Sequence, residues 1–374
     1  MNILIINLDK AIFSDNSASL ARLKKYSRLV DKMFVIVWTV KAERPIIFQD
    51  KLFIYPTNSL GRLGYFFDSF KIVRHILKSH KIDLVFTQDP FETGLCGWLI
   101  AYVGKLKLQL QFHTDVFSPY FRSASLANKL RVILAKFLLT RADSFRVVSE
   151  RIRRSLLKLK VPAEKIFVLP IFTDIDKFVS SPIRDDLKNK YPQFDFIILM
   201  ASRFSKEKNI NLAIDAMVEI IKQNSKTGLI IAGAGSEKEN LRLKIKNLKL
   251  RDNVILEPWA HDLASYYKSA DLFLLTSDYE GWGMSVVEAM ASGCPVVMTD
   301  VGCAGELVIN NATGMVAPVS NQAAVNENII KLMENSKLRE EIKNKALSAV
   351  RKLSSQEEYL TEYKKSWELA IKKK

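Results

Sequence analysis

The clearest indication of the fold lies in residues 271–300, DLFLLTSDYEGWGMSVVEAMASGCPVVMTD. The segment DLFLLTS is short and apolar, as expected of a buried strand, and MSVVEAM indicates the start of a helix. Between them lies DYEGWG, whose glycines Gly281 and Gly283 allow close backbone approach. A second apolar run, CPVVMTD, follows the helix. This order of strand, loop, helix and strand predicts a parallel sheet covered by helices.

The same alternation recurs in both halves of the chain. NILIINL, DLVFTQ and LQLQFHT are predicted strands of the first half, and FIILMAS and GLIIAG are predicted strands of the second. Between residues 171 and 195 the pattern lapses into a polar stretch, which predicts a linker. The fold class is therefore α/β, with two Rossmann-like, doubly wound parallel-sheet domains, and a ligand cleft is expected between them.

Length and composition agree with two globular domains. The chain has 374 residues, of which 48% are hydrophobic and 26% charged. Its three cysteines, Cys96, Cys294 and Cys303, are too few and too scattered for a disulfide framework, and no CxxC pair indicates zinc. The N-terminus lacks the features of a signal peptide, and the apolar run 94–104 is too short to span a bilayer. A reducing, cytoplasmic setting is expected.

The positive charge is concentrated in the first half. Residues 1–178 carry 29 Lys and Arg against 15 Asp and Glu, a net +14, whereas the remainder carries a net +2. Residues 122–160 alone contain 11 basic residues and two acids, threaded through apolar residues. Such a basic amphipathic segment suits an anionic membrane surface, and an ordinary solvated helix face is an equally good interpretation.

Four charged side chains follow predicted strands of the second half. Glu280 lies in the DYEGWG loop and Glu288 lies one turn into the following helix, where a carboxylate can accept hydrogen bonds from sugar hydroxyls. Arg203 and Lys208 follow FIILMAS and suit a diphosphate. Free amides at the helix start add a further anion site. The alternative interpretation is a tight turn with acids that cap a helix.

Together these segments resemble glycosyltransferase family 4, a set of retaining, nucleotide-sugar-dependent enzymes with the two-domain GT-B fold. The resemblance rests on R-x4-K at 203–208, GAG at 233–235, the E-x7-E of residues 280–288 and TGMVAPV at 313–319. It implies an N-terminal acceptor-binding domain over 1–178 and a C-terminal nucleotide-sugar-binding domain over 179–354. It also implies that a helix over 355–374 crosses back to the first domain.

The resemblance assigns roles to individual residues. It implies that Arg203 and Lys208 bind the donor diphosphate, that Glu280 contacts the donor sugar and that Glu288 contacts the ribose. His113, in LQFHTD, corresponds to a histidine near the reacting carbon, although a lone histidine after a strand is more often structural. His113 and Glu280 are thus the candidate catalytic residues. The implied substrate-binding residues of the loop are Gly281, Trp282, Gly283, Met284 and Ser285, and Trp282 is expected to shape the sugar site.

A metal-dependent alternative comes from Asp174-Ile-Asp176, which resembles the Asp-x-Asp metal site of another glycosyltransferase fold. This segment directly follows VLPIF, where a turn is the favoured interpretation. A metal is also not needed to offset phosphate charge, because Arg203, Lys208 and a helix start can do so. No metal or other cofactor is expected.

The predicted activity is transfer of a hexose, with retention of configuration, from a UDP- or GDP-linked donor to a hydroxyl of a glycan or lipid-linked acceptor. Synthesis of a cell-surface polysaccharide or glycolipid is the expected setting, at the cytoplasmic face of the membrane. One alternative is a nucleotide-sugar epimerase on the same fold. Another is a non-catalytic polyanion-binding protein, although no nucleic-acid motif is present and nucleic acid is not an expected partner.

Overall fold

In the computed structural model the chain divides into two compact units, Met1–Pro170 together with Gln356–Lys374, and Ile171–Ser355. The structure describes residues 1–14, 17–40, 43–260 and 262–372. Each unit is built on one sheet whose strands are largely buried, as expected when helices cover both faces of a parallel sheet.

The sheet of the first unit has eight strands in the spatial order β3-β4-β2-β1-β5-β6-β7-β8. Their bounds are β1 Asn2–Asn7, β2 Lys32–Val37, β3 Ile46–Phe48, β4 Leu52–Pro56, β5 Leu84–Thr87, β6 Lys107–Phe112, β7 Ser144–Val147 and β8 Ile166–Val168. Neighbouring strands pair in parallel, except that β3 pairs with β4 in antiparallel register. This edge hairpin is an addition to the purely parallel sheet expected from the sequence.

Helices connect these strands. They are α1 Ala18–Ser27, α2 Gly64–Ser79, α3 Glu92–Gly104, α4 Pro119–Ser123, α5 Leu126–Leu139 and α6 Glu150–Lys158. Serine hydroxyls cap three of them, since Ser17, Ser125 and Ser149 accept hydrogen bonds from backbone amides of the first turns of α1, α5 and α6. Among the described residues, α2 contacts α3, and α3 contacts α5.

The second unit has a six-stranded parallel sheet in the order β11-β10-β9-β12-β13-β14. Its strands are β9 Phe196–Ala201, β10 Thr227–Ala232, β11 Val254–Glu257, β12 Leu272–Leu275, β13 Val296–Thr299 and β14 Met315–Ala317. The strand order reverses between β9 and β12, which pair directly with Leu272 opposite Ile198. In doubly wound sheets, ligands bind beyond the carboxyl ends of strands at such a switch point.

Eight helices of the second unit are described: α7 Ile175–Ser180, α8 Leu187–Lys190, α9 Ile210–Gln223, α10 Lys238–Asn247, α11 Leu263–Ser269, α12 Met284–Ala291, α13 Gln322–Glu334 and α14 Ser336–Val350. The first two lie within the stretch 171–195 that is expected to be a linker. Asp174 and Asp186 cap them, and Leu187 is fully buried. Because α7 packs against α12, the second unit begins at Ile171, before the predicted boundary at residue 178.

The last helix, α15 Gln356–Ile371, packs against β5, β6 and β7 of the first unit. Tyr359, Tyr363 and Trp367 recur every four residues along α15 and are buried. No helix in the described part of the chain is long and apolar enough to cross a membrane.

Candidate functional site

Two loops meet at the switch point of the second sheet. The loop after β9 carries Lys208 and the loop after β12 carries Glu280, and Lys208 Nζ lies 2.5 Å from Glu280 Oε1. The Ser277 hydroxyl donates to the same oxygen at 2.8 Å. Both members of the ion pair are shielded, since the Lys208 and Glu280 side chains are only 16% and 14% exposed. Two predicted site residues are therefore in direct contact.

The loop after β9 is held by the glycines of the GAG segment. A Cβ on Gly233 would lie 1.9 Å from the carbonyl oxygen of Ser202, and one on Gly235 would lie 2.3 Å from that of Phe204. The Phe204 amide donates to the carbonyl oxygen of Ala234 at 2.8 Å. Only glycine allows this approach, so the segment fixes the backbone on both sides of Arg203.

Side-chain and backbone hydrogen bonds join the two loops. Asn209 adopts a left-handed conformation with φ 44°, which Asn tolerates. Its side-chain amide donates to Asp278 Oδ1 at 2.8 Å. The Asp278 backbone amide donates to the carbonyl oxygen of Glu207 at 2.8 Å, and the Thr276 hydroxyl donates to that of Asn209 at 2.9 Å. Burial raises the pKa of Asp278. The loops therefore form one connected scaffold beneath the Lys208–Glu280 pair.

Arg203 is placed differently from Lys208. Its guanidinium pairs with Glu207 at 3.1 Å, four residues along the chain, and its side chain is 72% exposed. Among the contacts of the described residues, none joins Arg203 to Lys208 or Glu280. The two predicted diphosphate ligands thus lie on one loop without contacting each other, and Arg203 is free to reorient at little cost.

The start of α12 offers backbone donors. Gly283 is the N-cap residue with φ 96°, and no side chain caps this helix. The amides of Met284 and Ser285 belong to the first turn, where N–H groups have no partner within the helix. With the positive end of the helix dipole, they form a binding site for an anion or for hydroxyl groups.

The Trp282 side chain is 2% exposed, and its indole Nε1 lacks a hydrogen-bond partner. Its carbonyl oxygen accepts from the Cys303 amide at 2.8 Å. Gly302, with φ 53°, passes so close that a Cβ there would lie 2.4 Å from that oxygen. The structure therefore fixes both the main chain and the ring of Trp282 between the two loop glycines.

Glu288 lies apart from the Lys208–Glu280 pair. Tyr267 of α11 donates its hydroxyl to Glu288 Oε2 at 3.1 Å. Burial raises the pKa of Glu288, and the Tyr267 hydrogen bond and the charge of Lys177 oppose that rise. Among the described residues, Glu280 and Glu288 share no hydrogen-bond partner, so the arrangement differs from a carboxylate dyad that shares one proton.

His113 directly follows β6 in the first unit. Its Nε2 lies 3.2 Å from Gln111 Oε1, an oxygen that also accepts from Arg146 Nη1 at 3.2 Å and from the Tyr363 hydroxyl at 3.1 Å. Burial, followed by the charges of Arg146 and Arg22, lowers the pKa of His113 to about 3. The imidazole is therefore neutral at physiological pH.

Arg146 is a buried residue beside His113 that the sequence pattern hides. It belongs to the basic segment 122–160, which predicts an exposed face, yet it is 1% exposed. Its guanidinium lies 4.5 Å from the ring centroid of Tyr363 and donates to the Tyr359 hydroxyl at 3.1 Å. Both partners come from α15, more than 200 residues along the chain. The only sequence feature that indicates this contact is the regular spacing of the aromatic residues in α15.

The Asp-x-Asp segment has a structural role. Asp174 caps α7 and accepts a hydrogen bond from the Lys177 amide at 3.1 Å. Within the part of the chain that the structure describes, no cluster of three or more His, Cys, Asp or Glu side chains is placed to hold a metal ion.

Two family models match this chain. The profile of Glycosyltransferase Family 4 matches residues 28–177, and that of Glycosyl transferases group 1 matches residues 184–348. The chain belongs to glycosyltransferase family 4. The family predicted from R-x4-K and E-x7-E is thus confirmed.

Two relatives show the range of this family. The alpha-monoglucosyldiacylglycerol synthase of Streptococcus pneumoniae is 31% identical over 59% of this chain and 53% of its own. A UDP-Gal:alpha-D-GlcNAc-diphosphoundecaprenol alpha-1,3-galactosyltransferase of Escherichia coli is 26% identical over 66% of this chain and 65% of its own. The matched region spans about half the length of the first relative.

A solved structure places this family 4 member in a fold group. Anabaena Alr3699/HepE, in complex with UDP and glucose, superimposes with a TM-score of 0.77 at 20% identity and covers 98% of this chain and 99% of its own. At that identity the likeness shows the fold alone. The predicted GT-B class, with two Rossmann-like domains, is confirmed.

Proposed function

We propose that the protein transfers a sugar from a nucleotide-diphosphate donor to a hydroxyl group of a glycan or lipid-linked acceptor. The observation that carries the proposal is the shielded Lys208–Glu280 pair, which lies at the switch point between β9 and β12. A diphosphate is bound by cationic side chains, and sugar hydroxyls are bound by groups that accept their hydrogen bonds. The two loops supply the cation Lys208 and the acceptor Glu280, which contact each other.

Lys208 is proposed to hold the donor diphosphate without leaving Glu280. An ammonium has three donor hydrogens, so Lys208 can keep its bond to Glu280 Oε1 and give another to a phosphate oxygen. Arg203, exposed on the same loop, turns from Glu207 to grip the phosphates in a bidentate manner. The free amides at the start of α12 complete the cradle.

Catalysis then consists mainly of stabilising the leaving nucleoside diphosphate. As the bond between the sugar and the diphosphate breaks, negative charge develops on the β-phosphate oxygens. Lys208 and the helix start are proposed to stabilise that charge, together with Arg203 once it has turned from Glu207. No metal ion is required in this proposal, because these groups offset the charge. The acceptor hydroxyl oxygen bonds to the anomeric carbon on the face that the diphosphate leaves, and its proton passes to a β-phosphate oxygen of the departing nucleoside diphosphate. The product then retains the anomeric configuration.

The carboxylates are proposed to recognise two parts of one donor. Glu280, held by Lys208 and Ser277, presents its second oxygen to sugar hydroxyls. Glu288, in its separate position beside Tyr267, accepts hydrogen bonds from the ribose hydroxyls. His113 is proposed to contact the reacting sugar as a neutral imidazole, because its pKa of about 3 leaves no proton to donate as an acid at neutral pH.

The relatives support a UDP-linked donor and a lipid-linked acceptor. One is named a synthase of a glycosylated diacylglycerol and another a galactosyltransferase acting from UDP-Gal on a diphosphoundecaprenol-linked sugar. The second name describes transfer and the first describes the making of a glycolipid, which favours a transferase over an epimerase on this scaffold. We also propose that the protein works at the cytoplasmic face of the membrane, which the net +14 of residues 1–178 favours.

The proposal is tested by a thermal-shift screen of nucleotides and nucleotide sugars, followed by product analysis with lipid-linked acceptors. A ligand that binds the folded state raises its unfolding temperature. UDP and one or more UDP-sugars are expected to stabilise the protein, and GDP is expected to do so less. If no nucleoside diphosphate stabilised the protein, the donor assignment would fail. If incubation with the donor alone yielded an isomerised sugar, the protein would be an epimerase instead.

A further inference from the structure

Helix α5 has two apolar faces. One face, with Val132, Ala135 and Leu138, is buried in the first unit. The opposite face carries Leu126, Leu130, Ile133 and Phe137, whose exposed fractions run from 38% to 77%. A surface helix of a globular protein normally presents polar side chains there. These four residues follow helical spacing, so they form a continuous stripe that we call the α5 outer stripe.

Unpaired positive charge borders this stripe. Lys129 and Lys136 follow the same spacing along one edge of the helix, are exposed, and form no ion pair in the described part of the chain. Residues 116–142 contain five basic residues and no acidic residue. The basic residue of α5 that does have a partner, Arg131, faces away from the stripe and pairs with Glu92.

Aromatic residues extend the stripe onto α3. The Trp98 ring meets the Phe137 ring edge-on with centroids 5.2 Å apart, and the Arg141 guanidinium lies 3.5 Å from the Phe137 centroid. Beyond them, Tyr102 and Val103 at the end of α3 are both at least 70% exposed. Aromatic rings beside arginine and lysine are typical of the boundary between lipid headgroups and acyl chains.

We propose that the α5 outer stripe docks the protein on an anionic lipid bilayer. Leu126, Leu130, Ile133 and Phe137 enter the boundary of the acyl region, and Lys129 and Lys136 lie against lipid phosphates. Charge complementarity selects this occupant, because an apolar stripe edged by unpaired lysines matches apolar chains beneath anionic headgroups. The inference rests on the proposed work at the membrane and assigns the surface that docks there. Docking is measurable without donor or acceptor, so its failure is distinguishable from failure of the proposed transfer activity.

Co-sedimentation of the full chain with vesicles tests the proposal. Vesicles of phosphatidylcholine with about 30% phosphatidylglycerol should bind the protein at least tenfold more tightly than phosphatidylcholine alone, because each basic residue near the surface adds to the affinity. The double variant Leu130→Ser, Ile133→Ser should lower the partition coefficient at least tenfold. Leu243→Ser removes a comparably exposed leucine from α10 of the second unit and should leave the partition coefficient unchanged.

Two further readouts make the result decisive. Brominated lipid should quench tryptophan fluorescence of the bound protein, and Trp98→Phe should remove most of that quenching. Absence of binding to anionic vesicles, or unchanged binding of the Leu130, Ile133 variant, would overturn the proposal. It would also be overturned by a dimer, seen by sedimentation velocity without vesicles, that the same double variant dissociates, because a second copy would then cover the stripe.

Discussion

Lys208 and Glu280 come from loops 72 residues apart in the chain, yet their charged atoms lie 2.5 Å from each other in a shielded position. Each side chain therefore needs the other. Removing one partner leaves a largely buried charge without compensation, whereas neutralising both leaves no buried charge that lacks a partner. This distinction separates a structural role of the pair from its proposed role in donor binding.

Lys208→Met alone should lower the free energy of unfolding by about 1–3 kcal/mol, because Glu280 loses its partner. It should also lower kcat/KM by about 10²–10³, the cost of removing one donor that stabilises developing charge. The double variant Lys208→Met, Glu280→Gln should recover most of the stability and none of the activity. Urea unfolding and a sugar-transfer assay measure both. Recovery of activity in the double variant would contradict the donor role of Lys208.

Arg203→Ala should leave stability nearly unchanged and weaken donor binding. The exposed Arg203–Glu207 pair, four residues apart on the chain, contributes less than about 0.5 kcal/mol. Loss of a bidentate phosphate ligand should raise KM for the donor about tenfold or more and lower kcat as charge develops. Arg242→Ala is the matched control, since it removes an exposed arginine that pairs with Glu239 on α10. Equal kinetics of the two variants would remove Arg203 from the site.

Glu288→Gln should stabilise the protein while lowering its activity. Burial raises the pKa of Glu288, so the folded state holds a proton more tightly than the unfolded state. Stability of the natural protein therefore falls as the pH rises from the unfolded pKa of glutamate, about 4.3, through the raised pKa of Glu288 in the folded state. The glutamine variant lacks this loss, so its unfolding temperature should exceed that of the natural protein near neutral pH and match it near pH 4. A higher stability of the variant at both pH values would contradict a titrating Glu288.

The sequence predicts the second unit better than the first for a physical reason. In the second unit, the proposed donor-binding residues lie in short loops directly after apolar strands, so Arg203, Lys208 and Glu280 are located by strand ends and glycines alone. Around His113, the partner Gln111 is itself held by Tyr363 of α15, which is remote in the chain. No local pattern could reveal that Arg146 is a buried core residue. The strand Ile46–Phe48 is not predicted from the sequence, because three residues are too few to show the alternation of a strand.

His113 should remain neutral across the working pH range, and this has a consequence for acid stability. Its pKa of about 3 lies below the unfolded value of about 6.5, so the unfolded state binds a proton that the folded state excludes as the pH falls. That contribution to stability is complete above about pH 6.5 and declines below it. His113→Asn should therefore lose less unfolding free energy than the natural protein between about pH 7 and pH 5, as measured by urea unfolding.

His75→Asn, an exposed substitution on α2, is the control and should behave like the natural protein and retain its activity. A His113 ring signal that titrates near pH 6 in nuclear magnetic resonance spectra would contradict the neutral imidazole, and unimpaired transfer by His113→Asn would remove it from the catalytic site.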